Sequence, residues 1–124
     1  MIRTISLATA VAVAALAFGI GASARPAATP VLKGTVGPGF TISLKKNGVR
    51  VKSLKAGAYK FVIADKAAAH NFTLERESGG KFEKELTDVS YVGTKSTTVT
   101  LKKGKWKYYC EPHESSMFGF FTVK

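Results

Sequence analysis

The sequence predicts an all-β fold, a β-sandwich of seven to eight short strands. Three observations predict it. Apolar and polar residues alternate with a period of two in segment after segment, turn-forming residues punctuate those segments at short intervals, and no helical period is sustained beyond residue 24. In a strand successive side chains point to opposite faces, so such alternation marks a sheet with one face buried.

The first clear strand is Gly39-Phe40-Thr41-Ile42-Ser43-Leu44. Lys46-Asn47-Gly48 then supplies a hairpin turn, because Asn-Gly tolerates the positive φ angles of a two-residue loop, and Val49-Arg50-Val51 returns. Ala56-Gly57 marks the next turn, and Tyr59, Phe61 and Ile63 share one face of the strand after it. Beyond Asp65 to Ala69, His70, Phe72 and Leu74 share a face of another strand, and Glu75 to Gly80 is a polar connection ending in glycine. The stretch Lys81 to Gly93, with Phe82, Leu86, Val89 and Tyr91, is less regular and is compatible with a helical turn or an edge strand. Thr97, Val99 and Leu101 alternate along the following strand, Lys102-Lys103-Gly104 turns, and Trp106, Tyr108 and Cys110 share one face. Phe118 to Val123 forms the last strand.

The N-terminus has the character of an export signal. Arg3 precedes the apolar, Ala-rich run Ile5 to Ile20, and Ala22-Ser23-Ala24 provides the small-x-small pattern read by a signal peptidase. The run is short of the ~20 apolar residues of a membrane span, so residues 1–24 are expected to be a cleaved signal peptide that leaves no stable membrane span. No Cys stands near the cleavage point to take a lipid, and no Arg pair precedes the run. Residues 25–32 form a flexible lead-in and 33–124 one domain with a single core. The expected destination is periplasmic or extracellular.

The chain has 19 Lys and Arg against 8 Asp and Glu, and losing Arg3 with the signal lowers its net charge of +11 by one. The lysines are scattered through turns and strands and are not interleaved with aromatics in one cluster. This pattern reads first as a solvated surface; the functional alternative is electrostatic steering toward an acidic partner, anionic lipid or wall polymer, an effect that weakens as salt rises. Nucleic acid is not an expected partner, since no recognition motif is present.

Tyr109-Cys110-Glu111-Pro112-His113-Glu114-Ser115-Ser116-Met117 is the most informative segment. It places a thiol, an imidazole and a thioether in one short connection between two strands. The only other histidine is His70. Singly, each has an ordinary structural explanation: a buried Cys as a small hydrophobe, a core His beside Phe72, a Met among Phe118, Phe120 and Phe121, a loop His after Pro112. Jointly they form the set required by a mononuclear electron-transfer copper site, two His and one Cys in a trigonal plane with a weak axial Met. Cys110 has no second Cys to pair with, which leaves burial, metal binding or reactivity.

On Ala69-His70-Asn71-Phe72, Tyr109-Cys110-Glu111-Pro112-His113, Met117 and the closing strand Phe118 to Val123, the chain resembles the cupredoxins, the small blue type 1 copper proteins that include plastocyanin, azurin and pseudoazurin. Nearly all of residues 25–124 is covered, and the Cys-x-Pro-His run is especially similar to plastocyanin. The resemblance implies an all-β, Greek-key β-sandwich (cupredoxin-like), one copper held by His70, Cys110 and His113 with Met117 axial, and one-electron shuttling between Cu(I) and Cu(II). It also implies that Asn71 ties the two ligand loops together and shields the Cys110 sulfur. Two departures stand out. The His113-to-Met117 gap is one residue shorter than in the usual plastocyanin loop and similar to azurin's. Glu114, Ser115 and Ser116 follow the second loop histidine where the family shows an apolar docking patch, and a carboxylate there would favour Cu(II).

Two histidines are too few for a multicopper oxidase or a copper nitrite reductase, and no Ser-His-Asp set exists without taking a copper ligand. Glu75, Glu77, Glu83 and Glu85 are expected on the surface rather than in paired acid-base catalysis. The sequence therefore reads as an exported, monomeric electron carrier serving redox partner proteins, some of them acidic, and not as an enzyme. The alternatives are a copper-sequestering or copper-delivery module using the same ligands, and a metal-free structural domain of the same fold.

Overall fold

The computed structural model describes residues 28–124, so the expected signal, residues 1–24, lies outside the described residues. Ten strands follow: β1 (Val31–Val36), β2 (Ile42–Lys46), β3 (Val49–Arg50), β4 (Ser53–Leu54), β5 (Gly57–Asp65), β6 (Phe72–Arg76), β7 (Phe82–Thr87), β8 (Gly93–Leu101), β9 (Gly104–Tyr109) and β10 (Phe118–Val123). The two beyond the expected eight are β1 and the two-residue β4. Val31 and Leu32, the last residues of the expected lead-in, open β1, where Leu32 is fully buried.

The strands form two five-stranded sheets, β3-β2-β1-β5-β8 and β4-β10-β9-β6-β7. Both are mixed: β1 runs parallel to β5 and β10 parallel to β4, and the remaining pairs are antiparallel. The chain changes sheet between β3 and β4, β4 and β5, β5 and β6, β7 and β8, and β8 and β9, which gives the sandwich its Greek-key character. Lys46 pairs with Val49 across the expected turn, where Asn47 (φ 50°) and Gly48 (φ 78°) supply the left-handed backbone that a two-residue hairpin needs. The irregular stretch after Lys81 resolves into β7, an edge strand antiparallel to β6 with a register shift between Phe72 and Thr73. Strand β6 extends to Arg76, so the polar connection after it starts at Glu77.

Inward residues of the two sheets meet in one core. Leu32, Leu44, Phe61, Ile63, Phe72, Leu74, Leu101, Trp106, Tyr108 and Phe121 are all essentially inaccessible. Each such side chain contributes roughly 1.5–3 kcal/mol of burial free energy. Tyr108 lies parallel to Phe72 (centroids 5.8 Å apart) and near Phe121 (6.4 Å), so aromatic rings bridge β6, β9 and β10. Trp106 satisfies its indole N–H on the Lys102 carbonyl at 2.9 Å. Phe121 and Trp106 continue the stack at 6.2 Å.

The alternation of strand directions gathers the connections at two ends. Residues 37–41, 66–71, 88–92 and 110–117 lie at one end, and the short links 47–48, 51–52, 55–56, 77–81 and 102–103 lie at the other. His70 and the Cys110 loop therefore share an end.

Candidate metal centre

Strand pairing brings the candidate ligands together. Strand β6 pairs with β9 through Thr73 and Tyr109, and β9 pairs with β10 through Tyr109 and Phe118. Just beyond these last rungs stand Asn71 and His70 on one connection, Cys110 on the second strand's exit and Met117 on the third strand's entry. The Cys110 N–H donates to the Met117 carbonyl at 3.0 Å, continuing the ladder and closing the loop as a hairpin. Within that loop Glu111–His113 forms one 3-10 turn, with Pro112 at its start. The His113 N–H donates to the Cys110 carbonyl at 3.1 Å, and the Met117 N–H donates to the His113 carbonyl at 2.8 Å. The loop is thus held by its own backbone.

The donor atoms converge. Cys110 Sγ lies 3.6 Å from His70 Nδ1 and 3.6 Å from His113 Nδ1, and the two Nδ1 atoms are 3.1 Å apart. A point in their plane equidistant from all three is ~2.0 Å from each, close to the ~2.0–2.1 Å of metal–imidazole and ~2.3 Å of metal–thiolate bonds in zinc sites. His70 and Cys110 are buried, at 3 % and 0 % exposure, and His113 is half-buried. Among the described residues this is the one group of three His, Cys, Asp or Glu side chains that could hold a metal ion. A soft sulfur with two imidazoles in a near-equilateral triangle suits copper.

Met117, the expected fourth ligand, is 1 % exposed and belongs to the core cluster. Its backbone is tied to both Cys110 and His113. Asn71 is fully buried, and its Oδ1 accepts the Glu111 N–H at 2.8 Å, so the His70 connection and the Cys110 loop are joined. Its Nδ2 donates to Thr73 Oγ1 at 3.2 Å and to Glu85 Oε1 at 3.3 Å, while the Thr73 hydroxyl donates to Glu111 Oε1 at 3.3 Å. The Phe72 N–H donates to the buried Thr87 hydroxyl at 3.0 Å. Every polar atom named here is paired, which locks the ligand-bearing segments to β6 and β7.

Charges around the centre are shared out. The Lys107 ammonium donates to Glu114 Oε1 at 2.7 Å, so the carboxylate next to His113 has its own cation. Partial desolvation, followed by a hydrogen bond with Asp88 and the charge of Glu111, raises the pKa of the exposed Glu85 from its ordinary value. Burial also raises that of Glu75, aided by Glu77 and by Glu83 directly across the β6–β7 rung. The Tyr109 phenol donates to Glu83 Oε1 at 2.8 Å, and burial and that carboxylate push its ionisation upward.

Two residues at this end have no part in the sequence-level reading. Phe40, 67 % exposed, stands edge-on to both imidazoles, with centroids 4.9 Å from His113 and 5.7 Å from His70. Its alternation in β2 suggested only an ordinary strand residue, and it lies instead in the connection before β2. Gly37 (φ +71°) packs so closely that a Cβ there would sit 3.0 Å from His70 Cδ2 and 3.2 Å from Ala67 Cβ. Its positive φ and lack of a side chain together leave room for the ligand ring.

The family model for copper binding proteins of the plastocyanin/azurin family matches residues 35–124. The chain belongs to that family. This cupredoxin matches solved structures of rusticyanin, described as a copper protein, with 21% identity, 77% of this chain and 78% of that chain covered, and a TM-score of 0.57. Reduced rusticyanin matches at 22% identity over 77% and 79% of the two chains, with a TM-score of 0.57. Rusticyanin from Thiobacillus ferrooxidans matches at 23% identity over 77% of each, with a TM-score of 0.50. At these identities the likeness concerns the fold, a cupredoxin sandwich. No curated protein sequence matches the chain. Copper is the cofactor of this cupredoxin, with His70, Cys110 and His113 positioned to bind one ion.

Proposed function

We propose that this cupredoxin is an exported, monomeric carrier of single electrons. The observation that carries the reading is the triangle of one thiolate sulfur and two imidazole nitrogens, 3.1 to 3.6 Å on a side, built on paired strands at a buried end of the sandwich. Copper held there supplies reversible one-electron chemistry between Cu(I) and Cu(II). Cys110 contributes the soft, covalent donor responsible for intense visible absorption. His70 and His113 would contribute neutral nitrogens, and Met117 would add a thioether as the fourth ligand. Asn71 keeps the two ligand segments at fixed separation, which limits how far the donors can follow a change of charge. His113, the least buried of the three in-plane ligands, is the port through which redox partner proteins exchange electrons. With both histidines spent on this centre, no hydrolytic triad remains, and the protein is not an enzyme.

The test is the visible and electron paramagnetic resonance spectrum after Cu(II) is added and the excess removed. The expected outcome is an intense thiolate band with narrow hyperfine splitting, bleached by reductant and restored by oxidant. Cys110→Ser abolishes the band and leaves the fold, and Met117→Leu keeps the colour while shifting the potential. Copper that is surrendered to a chelator as soon as it is reduced would instead mark a copper-delivery module. A colourless protein would sink the reading altogether.

A further inference from the structure

The lysines that look scattered along the sequence are sorted in space. At the end of the sandwich away from His70, Cys110 and His113, the connections carry Lys52, Lys55, Lys81, Lys102 and Lys103 against one acidic side chain, Glu77. At the metal end the connections carry Lys66 against Asp88, Glu111 and Glu114, the last of them paired with Lys107 of β9. Sheet one, of which β2 and β3 reach the far end with Lys46 and Arg50, holds a single acid, Asp65, and that is 2 % exposed. Lys33, Lys45 and Arg50 stand directly opposite one another on β1, β2 and β3. Like charges placed side by side in this way oppose sheet pairing unless something outside the molecule compensates them.

The far end also holds a groove of about 710 Å³. Its walls include Lys46, Arg50, Lys52 and Lys55, and no acid. Lys52, Lys55, Lys102 and Lys103 are all exposed, and none of their side chains makes a hydrogen bond or ion pair among the described residues. Pro30, at the entry to β1, lines the same groove, so the chain joins the sandwich here, shortly after the apolar run Ile5 to Ile20 in sequence.

We infer that this cationic end is a docking surface for an anionic phospholipid membrane, which holds the protein with its metal end turned outward. Four separate links present ammonium groups across one end, a geometry that fits a plane of phosphate headgroups. The acidic end is repelled by the same surface, so the charge separation orients the molecule as well as attracting it. The inference goes beyond the electron-carrier reading and holds whether or not the centre cycles.

The experiment uses the full-length protein with vesicles of phosphatidylcholine alone and of phosphatidylcholine mixed with phosphatidylglycerol, at low and raised salt. Taking the ratio of the two partition coefficients removes any contribution from insertion of the apolar run. The ratio is expected well above one, falling as salt rises. The variant K52Q/K55Q/K102Q/K103Q should lower it by about fivefold per cation removed, while K66Q/K84Q/K95Q, which removes charge elsewhere, should lower it much less per cation. Visible absorption of the copper-loaded variants reports that both remain folded. Equal loss per cation in the two variants would reduce the effect to net charge, and a ratio near one would leave no membrane surface at all. Capture by polyglutamate through the same four lysines, without preference for anionic vesicles, would assign the surface to an acidic protein instead. Each of these results overturns the inference.

Discussion

At the residue scale, the centre depends on side chains that hold the ligands as much as on the ligands. Asn71 accepts the Glu111 N–H in a fully buried position. Asn71→Ala removes that acceptor and strands the donor, a change that costs about 1–3 kcal/mol. Denaturant unfolding of metal-free protein measures this loss, and the visible band of copper-loaded protein should shift because the Cys110 loop is no longer tied to the His70 segment. Phe40 covers the edges of both imidazoles. Aromatic pairs of this kind contribute about 0.5–1.5 kcal/mol, so Phe40→Ala should speed copper removal by a chelator roughly two- to tenfold. Far-ultraviolet circular dichroism should stay unchanged, since Phe40 is largely exposed and outside the core.

At the scale of elements, β9 and β10 illustrate how tightly the frame is specified. Gly119 faces Tyr108 so closely that an added Cβ would overlap the phenol ring. Tyr108 cannot retreat, being buried between Phe72 and Phe121. Gly119→Ala should therefore destabilise the protein by about 1–3 kcal/mol, read as a lower denaturant midpoint. The β6–β7 hairpin makes a pH-dependent contribution. Glu85 and Glu75 have folded-state pKa values above their ordinary 4.5, so in that window the native state binds more protons than the unfolded chain. Stability then rises as pH falls through the raised values toward 4.5, and the penalty is fully present above them. Glu85→Gln should raise the denaturant midpoint of metal-free protein at neutral pH and flatten its gain on mild acidification.

The same elements show what a sequence can disclose. Strand alternation, the Asn47-Gly48 turn and the Cys110-to-Met117 spacing are local signals, and the structure follows them. Strand β4 was hidden because two residues are too few for a period, β1 because Pro26, Pro30 and the small residues before it read as a lead-in, and β7 because Glu83, Lys84 and Glu85 alternate with nothing apolar on an edge strand. Phe40 was legible as a residue but not as a neighbour of His70 and His113, because its role arises from a connection folding across the sandwich end. The pairing of Glu114 with Lys107 was equally invisible, and it means that the loop carboxylate faces a cation rather than standing alone beside the centre.

At the scale of the molecule, metal and fold are linked. The donor set exists only when β6, β9 and β10 are in register, so copper binds the native chain in preference to the unfolded one. Copper in ~1,000-fold excess over its dissociation constant should add about 4 kcal/mol to stability, measured as a higher melting temperature for loaded than for metal-free protein. Equal melting temperatures would mean that the three donors do not act as one site.

Strand β10 lies between β4 and β9, and its entry carries Met117. A nascent polypeptide that has yet to release residues 118–123 therefore has a split second sheet, an open β9 edge and a Cys110 loop with no returning strand. Closure of the second sheet, cover for the Cys110 sulfur and completion of the donor loop therefore depend together on one six-residue strand taking its place between its neighbours.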